Sequence, residues 1–407
     1  MSKIPIKPRI YIMMKHKGKT SFVPLVFVPI IVAAGLGISL VCFTNIFFHQ
    51  LNLLVFVCFA FYTFFTTSKI KKSEIKNLAM LDFIDQFIIS LSIHKTLLAT
   101  MQSVEELCDE LVKKELASFT QGEALEKIEF LSHFFKHTIY EAFLDIVKTY
   151  FEQGGEILQA STALLKEVAE TRTKALSIKQ LNQQKLAELI SGWTFVFLII
   201  IMLRFVVSDI YQQLLLNLSF VYGLQTFIIL IIFSFIIYFR IVLTSFTDTV
   251  YKVKVTEKYI PVQQFVKTFS LFRMNLIGER NIYKSLEKTA NFSEGVISHH
   301  LLTLVGELKV SISLSPFVNF AEKFKEPIVK HIMINVYQMM VEGGDIGTLY
   351  EFNYLFDRLY ELDSQITFNT VKRKHENLSQ MPLLGSGLLV LLIMAGVIGM
   401  LGNFLYV

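Results

Sequence analysis

The chain has few of the residues that interrupt helices. Only eight of its 407 residues are proline, and none lies between residue 30 and residue 260. The polar stretch Thr67–Ile190 contains only three glycines, which are Gly122, Gly154 and Gly155. Because proline and glycine are the usual breaks in strands and turns, their scarcity favours long helices with few interruptions. We therefore predict an all-α fold.

Cysteine and charged residues are also scarce, and each scarcity excludes a class of protein. Cys42, Cys58 and Cys108 have neither the number nor the spacing of a disulfide framework or a zinc ribbon. Charged residues make up 18% of the chain, while hydrophobic residues make up 53% and the mean hydropathy is +0.51. Such a composition excludes an ordinary soluble protein. We interpret the chain as an integral membrane protein whose charged residues cluster between apolar runs.

Motifs that carry catalysis are missing as well. The sequence has no phosphate-binding loop of the GxxxxGK[ST] kind and no GxSxG nucleophile motif. His133 and His137 are four residues apart, so on one helix they would share a face as a zinc pair requires, or simply form an exposed polar stripe. The adjacent His299 and His300 fall in a loop-like stretch. We predict no enzymatic activity, no catalytic residue, no metal and no cofactor.

Apolar runs predict five transmembrane helices, since about 20 residues are needed to cross about 30 Å of hydrocarbon. Lysine and arginine precede the first run and follow the second, whereas the connection Thr44–Gln50 has neither, so the amino terminus is expected in the cytoplasm. The basic tail is interpreted as this topology signal and not as a nucleic-acid site. The first run resembles a signal peptide but is longer, so we expect an uncleaved anchor. The predicted spans are Phe22–Phe43, Leu51–Thr66, Leu186–Val207, Phe220–Ile241 and Leu383–Tyr406.

The same rule places both polar regions on the cytoplasmic side of a cell membrane. The third span contains Arg204, for which we consider two settings: snorkelling toward Asp209, or a buried contact with another span or a membrane-embedded partner. The acidic segment Glu105–Glu129 is either a solvated helix face or a docking surface for a basic partner. The predicted domains are a basic tail (1–21), a hairpin (22–66), cytoplasmic domain 1 (67–185), a second hairpin (186–241), cytoplasmic domain 2 (242–382) and a last span (383–407).

A short motif occurs twice in the chain, once in each polar region. Residues 153–157 read QGGEI and residues 342–346 read EGGDI, a displacement of 189, and the apolar patterns that open the two regions are displaced by about 184. We predict two repeated helical bundles in which the glycines end one helix and the acid begins the next. The candidate coupling residues are Gly154, Gly155, Glu156, Gly343, Gly344, Asp345 and Gly347.

Small residues recur along the last span. Glycines on one face of a membrane helix allow another helix to approach closely, from the same chain or from a second copy. The predicted helix-packing residues are Gly385, Gly396, Gly399 and Gly402.

At these motifs the chain resembles the polytopic platform proteins of type II secretion and type IV pilus systems. Residues 344–349, GDIGTL, match that family's Gly-acid-x-small-x-Leu element, and Met381-Pro382 stands where proline often precedes the last span. The first copy keeps Gly155 and Glu156 but has Leu158 and Ala160 where glycine and leucine are expected. The resemblance covers about residues 80 to 407.

The resemblance implies a membrane scaffold without enzymatic activity. Its partners would be a hexameric secretion ATPase, pilin-like subunits and other membrane assembly proteins, and it would form a homo-oligomer and bind no nucleic acid. The leading hairpin is similar to that of single-unit relatives in tight-adherence systems, so the kind of filament stays open. The alternatives from other classes are a transporter or channel with repeated units, and a membrane enzyme.

Overall fold

The structure is a computed structural model, and it describes residues 23–119, 123–135, 137–153, 157–246, 259–279, 281–293, 295–343 and 346–405. Within these ranges every regular element is an α-helix, and the only β-contact is an isolated bridge between Ile260 and Phe324. The predicted all-α fold is confirmed for this part of the chain.

Sixteen helices follow one another in the described residues. The first nine are α1 (Val23–Cys42), α2 (Ile46–His94), α3 (Leu97–Leu107), α4 (Glu110–Ser118), α5 (Ala124–Phe135), α6 (Thr138–Gln153), α7 (Ile157–Val206), α8 (Ser208–Leu215) and α9 (Leu218–Phe246). The remaining seven are α10 (Val262–Glu279), α11 (Ile282–Phe292), α12 (Val296–Val310), α13 (Leu314–Ala321), α14 (Pro327–Glu342), α15 (Ile346–Ser379) and α16 (Met381–Leu405).

Three of these helices are unusually long. Helices α2, α7 and α15 have 49, 50 and 34 residues. None of the three contains a proline, so no backbone donor is lost and no ring clashes with the preceding turn. At 1.5 Å per residue, α7 is roughly 75 Å long.

Four stretches of helix are long and apolar enough to cross a membrane: Ile46–His94, Leu164–Val206, Leu218–Ser245 and Gly347–Gly399. They overlap the second to fifth predicted spans. The first predicted span overlaps α1, whose apolar part in the described residues, Val28–Cys42, is shorter. By length and composition the chain is therefore a membrane protein with four candidate spans, and the fifth span stays a prediction.

The chain folds as two compact units, which we call the apolar unit and the polar unit. The apolar unit takes in the described residues of Met1–Lys72, Lys185–Leu243 and Asn377–Val407, and the polar unit those of Ser73–Gln184 and Thr244–Glu376. We call the two parts of the polar unit the first and the second segment. Helices α2, α7, α9 and α15 contribute residues to both units.

The polar unit contains two hydrophobic cores. The first core is built by α2 to α7 and is centred on aromatic rings such as Phe83, Phe87 and Phe143. The second core is built mainly by α10 to α15, where Phe265 and Phe269 stack with ring centroids 4.0 Å apart. Each fully buried phenylalanine contributes about 1.5–3 kcal/mol by leaving water.

Two expectations about histidines are wrong. Helix α5 ends at Phe135 and α6 begins at Thr138, so His133 and His137 do not share a helical face. The physical reason is a cap, because the His137 Nδ1 accepts a hydrogen bond from the backbone amide of Ile139 at 3.2 Å, inside the first turn of α6. His299 and His300 lie within α12 and not in a loop.

Candidate functional site

The second glycine motif ends a helix as the sequence predicts. Helix α14 stops at Glu342, and Gly343 follows in the left-handed conformation with φ 82° and ψ 19°. Because a side chain strains that conformation, glycine is the favoured residue there. In the first copy, α6 ends at Gln153, directly before the glycine pair. Of the other motif residues, Gly154, Gly155, Glu156, Gly344 and Asp345 lie outside the described residues.

A stripe of exposed side chains runs along α15 from this motif. Gly347 is exposed in the first turn. Tyr350, Tyr354, Arg358 and Leu362 follow at intervals of four residues, and all four are exposed. The Arg358 guanidinium lies 5.9 Å from the Tyr354 ring centre. Tyrosine and arginine are the residue types that most often dominate binding energy at protein interfaces.

A charge cluster around the buried Arg273 joins the two segments of the polar unit. Arg273 of α10 is 5% exposed, and its Nη1 donates to the Asp357 Oδ1 of α15 at 3.0 Å. Its guanidinium also lies 5.0 Å from the centre of the Phe356 ring. From the first segment, Lys166 of α7 contacts the other carboxylate oxygen of Asp357 at 2.5 Å. Asp357 therefore bridges a cation from each segment.

Glu167 is the most deeply buried carboxylate of this junction. Its side chain is 6% exposed, and its Oε2 has no hydrogen-bond partner in the described part of the chain. Burial raises the pKa of Glu167 to about 7, although the Arg273 guanidinium and the Ser270 hydroxyl both lower it. An unpartnered oxygen in a low-dielectric setting disfavours the charged form, which explains the direction.

A second ion pair joins the segments between α6 and α11. The Lys288 Nζ lies 3.6 Å from the Asp145 Oδ2 and 3.4 Å from the Glu279 Oε1. Burial raises the pKa of Asp145, and the Lys288 ammonium opposes this shift. Close by, α6 packs against α10, and Leu271 of α10 belongs to the first core. The junction thus combines apolar packing with paired charges.

Helices α7 and α15 run parallel and are joined by long side chains. Along α7, Lys166, Lys174 and Asn182 contact Asp357, Asp363 and His375 of α15, in the same chain order on both helices. The Lys174 contact measures 3.4 Å, and the Asn182 Oδ1 lies 2.8 Å from the His375 Nε2. An open groove of about 940 Å³ lies between the two helices, with Ile178, Leu181, Tyr360 and Phe368 among its lining residues.

Helix α7 is also tied to α2. The Arg172 Nη2 lies 2.8 Å from an oxygen of Asp82 and 2.7 Å from an oxygen of Asp85, and Lys179 pairs with Glu74. Charge-assisted bonds of one guanidinium to two carboxylates are among the stronger polar contacts in proteins. Within the polar unit, α7 therefore has polar contacts with α2, α10 and α15.

The glycines of the last span face side chains of this chain. A Cβ atom at Gly385 would lie 2.6 Å from the ring of Trp193, and one at Gly396 would overlap Leu214. At Gly399 the nearest atom would be the Asn217 Nδ2, at 3.6 Å. Gly402 lies in α16, and its surroundings are outside the described side chains. The predicted close approach at Gly385 and Gly396 is therefore made within one chain.

Of the two settings considered for Arg204, the contact with Asp209 is not an ion pair in the part of the chain that the structure describes. Its guanidinium lies 5.4 Å from the centre of the Tyr211 ring, and the Tyr211 hydroxyl donates to the Cys42 carbonyl at 2.9 Å. Attraction between the cation and the ring face offsets part of the cost of placing arginine in an apolar setting.

A group of uncharged polar side chains is buried in the apolar unit. The Gln225 Nε2 donates to the Asn52 Oδ1 at 2.9 Å, and the Asn52 Nδ2 donates to the Ser39 Oγ at 3.2 Å. Ser39 is also 3.0 Å from the His49 Nδ1. These bonds join α1 and α2 to α9. They also provide hydrogen-bond partners for polar groups, which lipid hydrocarbon cannot provide.

Among the described residues, no cluster of three or more histidine, cysteine, aspartate or glutamate side chains is arranged to hold a metal ion.

Several residues of the acidic segment Glu105–Glu129 make contacts within the first segment. Asp109 caps α4 by accepting a hydrogen bond from the amide of Leu111, and Glu105 and Glu129 pair with Lys127 and Lys148.

Comparison with known proteins gives no match. No protein-family model matches the chain, and no curated protein and no solved structure matches it. The resemblance drawn from the glycine motifs therefore rests on the sequence.

Proposed function

We propose that this protein is a membrane platform of a filament-assembly machine of the type II secretion or type IV pilus kind. In this role it couples a cytoplasmic secretion ATPase to the assembly of pilin-like subunits. The observation that carries the proposal is that two helical segments form one polar unit. A long helix of each segment, α7 in the first and α15 in the second, leads into an apolar stretch.

Matching helix lengths support the proposed repeat. Helices α3 and α11 each have 11 residues and begin 185 residues apart, one more than the displacement found in the sequence. Helices α6 and α14 each have 16 residues and begin 189 residues apart, as do the described starts of α7 and α15. Buried positions also correspond, since Thr100 and Met101 match Ser285 and Leu286.

Contacts between the two segments support a shared side of the membrane. Asp145 and Lys288 belong to different segments and lie 3.6 Å apart, a contact that supports placing both segments in the same compartment. Two candidate spans, those of α7 and α9, separate the segments along the chain, and an even number returns the chain to its starting side. The basic residues beside the first two predicted spans favour the cytoplasm as that compartment.

Helical connections between the segments and the apolar stretches fit a protein that transmits force. Helix α7 continues without interruption into its apolar stretch, whereas α15 ends at Ser379 and its apolar stretch follows as α16 from Met381. Side-chain bridges hold α7 and α15 in parallel. A pull or rotation applied to the polar unit would then reach both apolar stretches together. The exposed stripe on α15, from Tyr350 to Leu362, is the surface we assign to the ATPase.

The test is co-purification of the full chain with a secretion ATPase from the same organism. We expect the ATPase to remain bound to the detergent-solubilised protein, and Tyr350→Asp with Tyr354→Asp to weaken that binding. Val310→Asp, at an exposed residue outside the stripe, is the matched control and should leave binding unchanged. Failure of the wild-type protein to retain the ATPase would contradict the proposal.

The second candidate, a transporter or channel, is favoured by one observation, which is the buried group of Ser39, Asn52 and Gln225. A substrate path through the membrane commonly contains polar side chains at such depth. In this protein the three side chains are uncharged and hydrogen-bonded to one another, an arrangement that suits contacts between packed helices. Flux measurements on reconstituted protein separate the two functions, because a platform carries no solute.

A further inference from the structure

The contact between the two segments joins two unlike surfaces. The first segment contributes one side of α6, including Ala142 and Asp145, and the second contributes one side of α10 and α11, including Leu271 and Lys288. We call these the α6 face and the α10 face. Each face is buried where the segments meet, since Ala142 and Leu271 are only 3% and 7% exposed.

Each face has a counterpart in the other segment if the two segments are repeats, so this inference rests on the proposed function. The offset of 189 between α6 and α14 relates Ala142 and Asp145 to His331 and Ile334. The offset of 185 between α3 and α11 relates Lys288 to Ser103. The same offset, applied to the preceding helices α2 and α10, relates Leu271 to Gln86. We call the counterparts the α14 face and the α2 face.

Both counterparts carry exposed apolar side chains, although Gln86 and Ser103 themselves are half-buried. On the α14 face His331 is exposed, Ile334 is half-buried and Val341 is 56% exposed. On the α2 face, three and seven residues beyond Gln86 and therefore on the same side of the helix, Ile89 and Ile93 are 55% and 68% exposed. Contiguous apolar side chains on a water-facing surface commonly mark an interaction site.

We propose that a second copy of this chain covers these surfaces, its α14 face packing on the α2 face as the α6 face packs on the α10 face within one chain. The contact between the α6 face and the α10 face within one chain is thus the example for the proposed contact between two chains. The charges agree with this occupant, because the positions that correspond to the ion pair of Asp145 and Lys288 are Ile334 and Ser103. A contact between them buries no unpaired charge.

The two faces of this contact are different, so the contact is heterologous. A heterologous contact leaves one free α2 face and one free α14 face at the ends of every dimer, so further copies can add until a ring closes. The proposed contact therefore differs from a two-fold symmetric dimer, in which each face would meet its own copy. The partner is therefore this chain itself, in head-to-tail order.

Cysteine cross-linking tests the contact directly. The exposed Cys58 is first replaced by alanine, while the buried Cys42 and Cys108 are kept. One full-length chain carries Ser103→Cys, a second with a different tag carries Ile334→Cys, and the two are co-expressed and treated with a short bifunctional maleimide. We expect cross-linked dimers that contain both tags, and no cross-linked dimer when either variant is expressed alone.

A matched control replaces Ile334→Cys with Glu307→Cys, at an exposed position on α12 outside both faces. This control should give no mixed dimer. Absence of the mixed dimer with Ile334→Cys, or equally strong cross-linking of one variant alone, would overturn the proposal.

A second measurement does not depend on the cysteines. Ile89→Asp should lower the mass of the detergent-solubilised complex to that of a single chain, whereas Ile312→Asp, at an exposed residue outside both faces, should not change the mass. An unchanged mass with Ile89→Asp would contradict the proposal. Both tests use this protein alone, so retained ATPase binding with failed cross-linking would reject the head-to-tail contact and keep the proposed function.

Discussion

At the scale of single residues, the junction between the two segments depends on charged groups, of which Arg273 and Glu167 are buried. Arg273 donates one hydrogen bond to Asp357, and Lys166 adds a second cation. Glu167 is the exception, because burial outweighs its favourable contacts and raises its pKa to about 7. Removing water from a carboxylate is expensive even beside an arginine. The stability of the junction should therefore depend on pH near neutrality.

Glu167→Gln tests this dependence. The folded-state pKa lies above the ordinary value of 4.5, so the stabilisation is fully present below that value and is lost as the pH rises through about 7. The wild type should lose up to about 3 kcal/mol from this group between about pH 4.5 and about pH 8.5. Glutamine resembles the protonated acid, so the variant should lose less. Thermal unfolding of the detergent-solubilised protein across this range measures the difference.

The control for this variant is Glu307→Gln, at an exposed carboxylate of α12, which should keep the wild-type dependence. Burial also raises the pKa of Asp82, Asp85 and Asp145, so a part of the dependence should survive in every variant. Identical pH profiles for Glu167→Gln and the wild type would show that Glu167 does not govern the junction.

At the scale of helices, the apolar unit depends on close approach at glycine. Trp193 of α7 is fixed by a hydrogen bond from its Nε1 to the Ser234 Oγ at 2.9 Å and by an edge contact with Phe227. Its ring lies where the side chain of residue 385 would project. Since Trp193 is held on both sides, it cannot move aside cheaply. Gly385 therefore sets how closely α16 approaches α7.

Gly385→Ala should destabilise the apolar unit by about 1–3 kcal/mol, the usual cost of adding volume to a packed interior. Gly387→Ala is the matched control, because a Cβ atom at Gly387 would meet nothing within 4 Å. Thermal unfolding in detergent compares the two variants. Equal transition temperatures would show that the contact with Trp193 does not limit packing.

Helix ends show what the sequence could and could not predict. The stop at Gly343 was predictable because a left-handed residue after a helix strongly favours glycine. The break between α5 and α6 was not, since it contains neither proline nor glycine and relies on the His137 side chain. His299 and His300 were misassigned because no strong helix-forming residue precedes them closely. Local signals therefore predicted the helices better than their boundaries.

At the scale of the whole molecule, composition and apolar runs predicted the class of protein but not its contacts. The scarcity of proline predicted an all-α fold, and four of the five apolar runs correspond to candidate spans. The burial of Glu167 could not be predicted, because its neighbours in sequence, Lys166 and Glu170, are typical of a solvated face. Which surfaces of the two segments meet depends on packing between residues more than 100 positions apart, and no local pattern encodes it.

The central claim is that both segments of the polar unit lie in the cytoplasm and act together on the membrane part. Cysteine labelling tests it most directly, with Cys58 replaced by alanine and single cysteines at Glu106 in the first segment, Glu307 in the second and Gln212 in the connection between α7 and α9. We predict that an impermeant maleimide labels position 212 in intact cells and labels positions 106 and 307 only after the membrane is opened. Labelling of positions 106 and 307 from opposite sides would contradict the account.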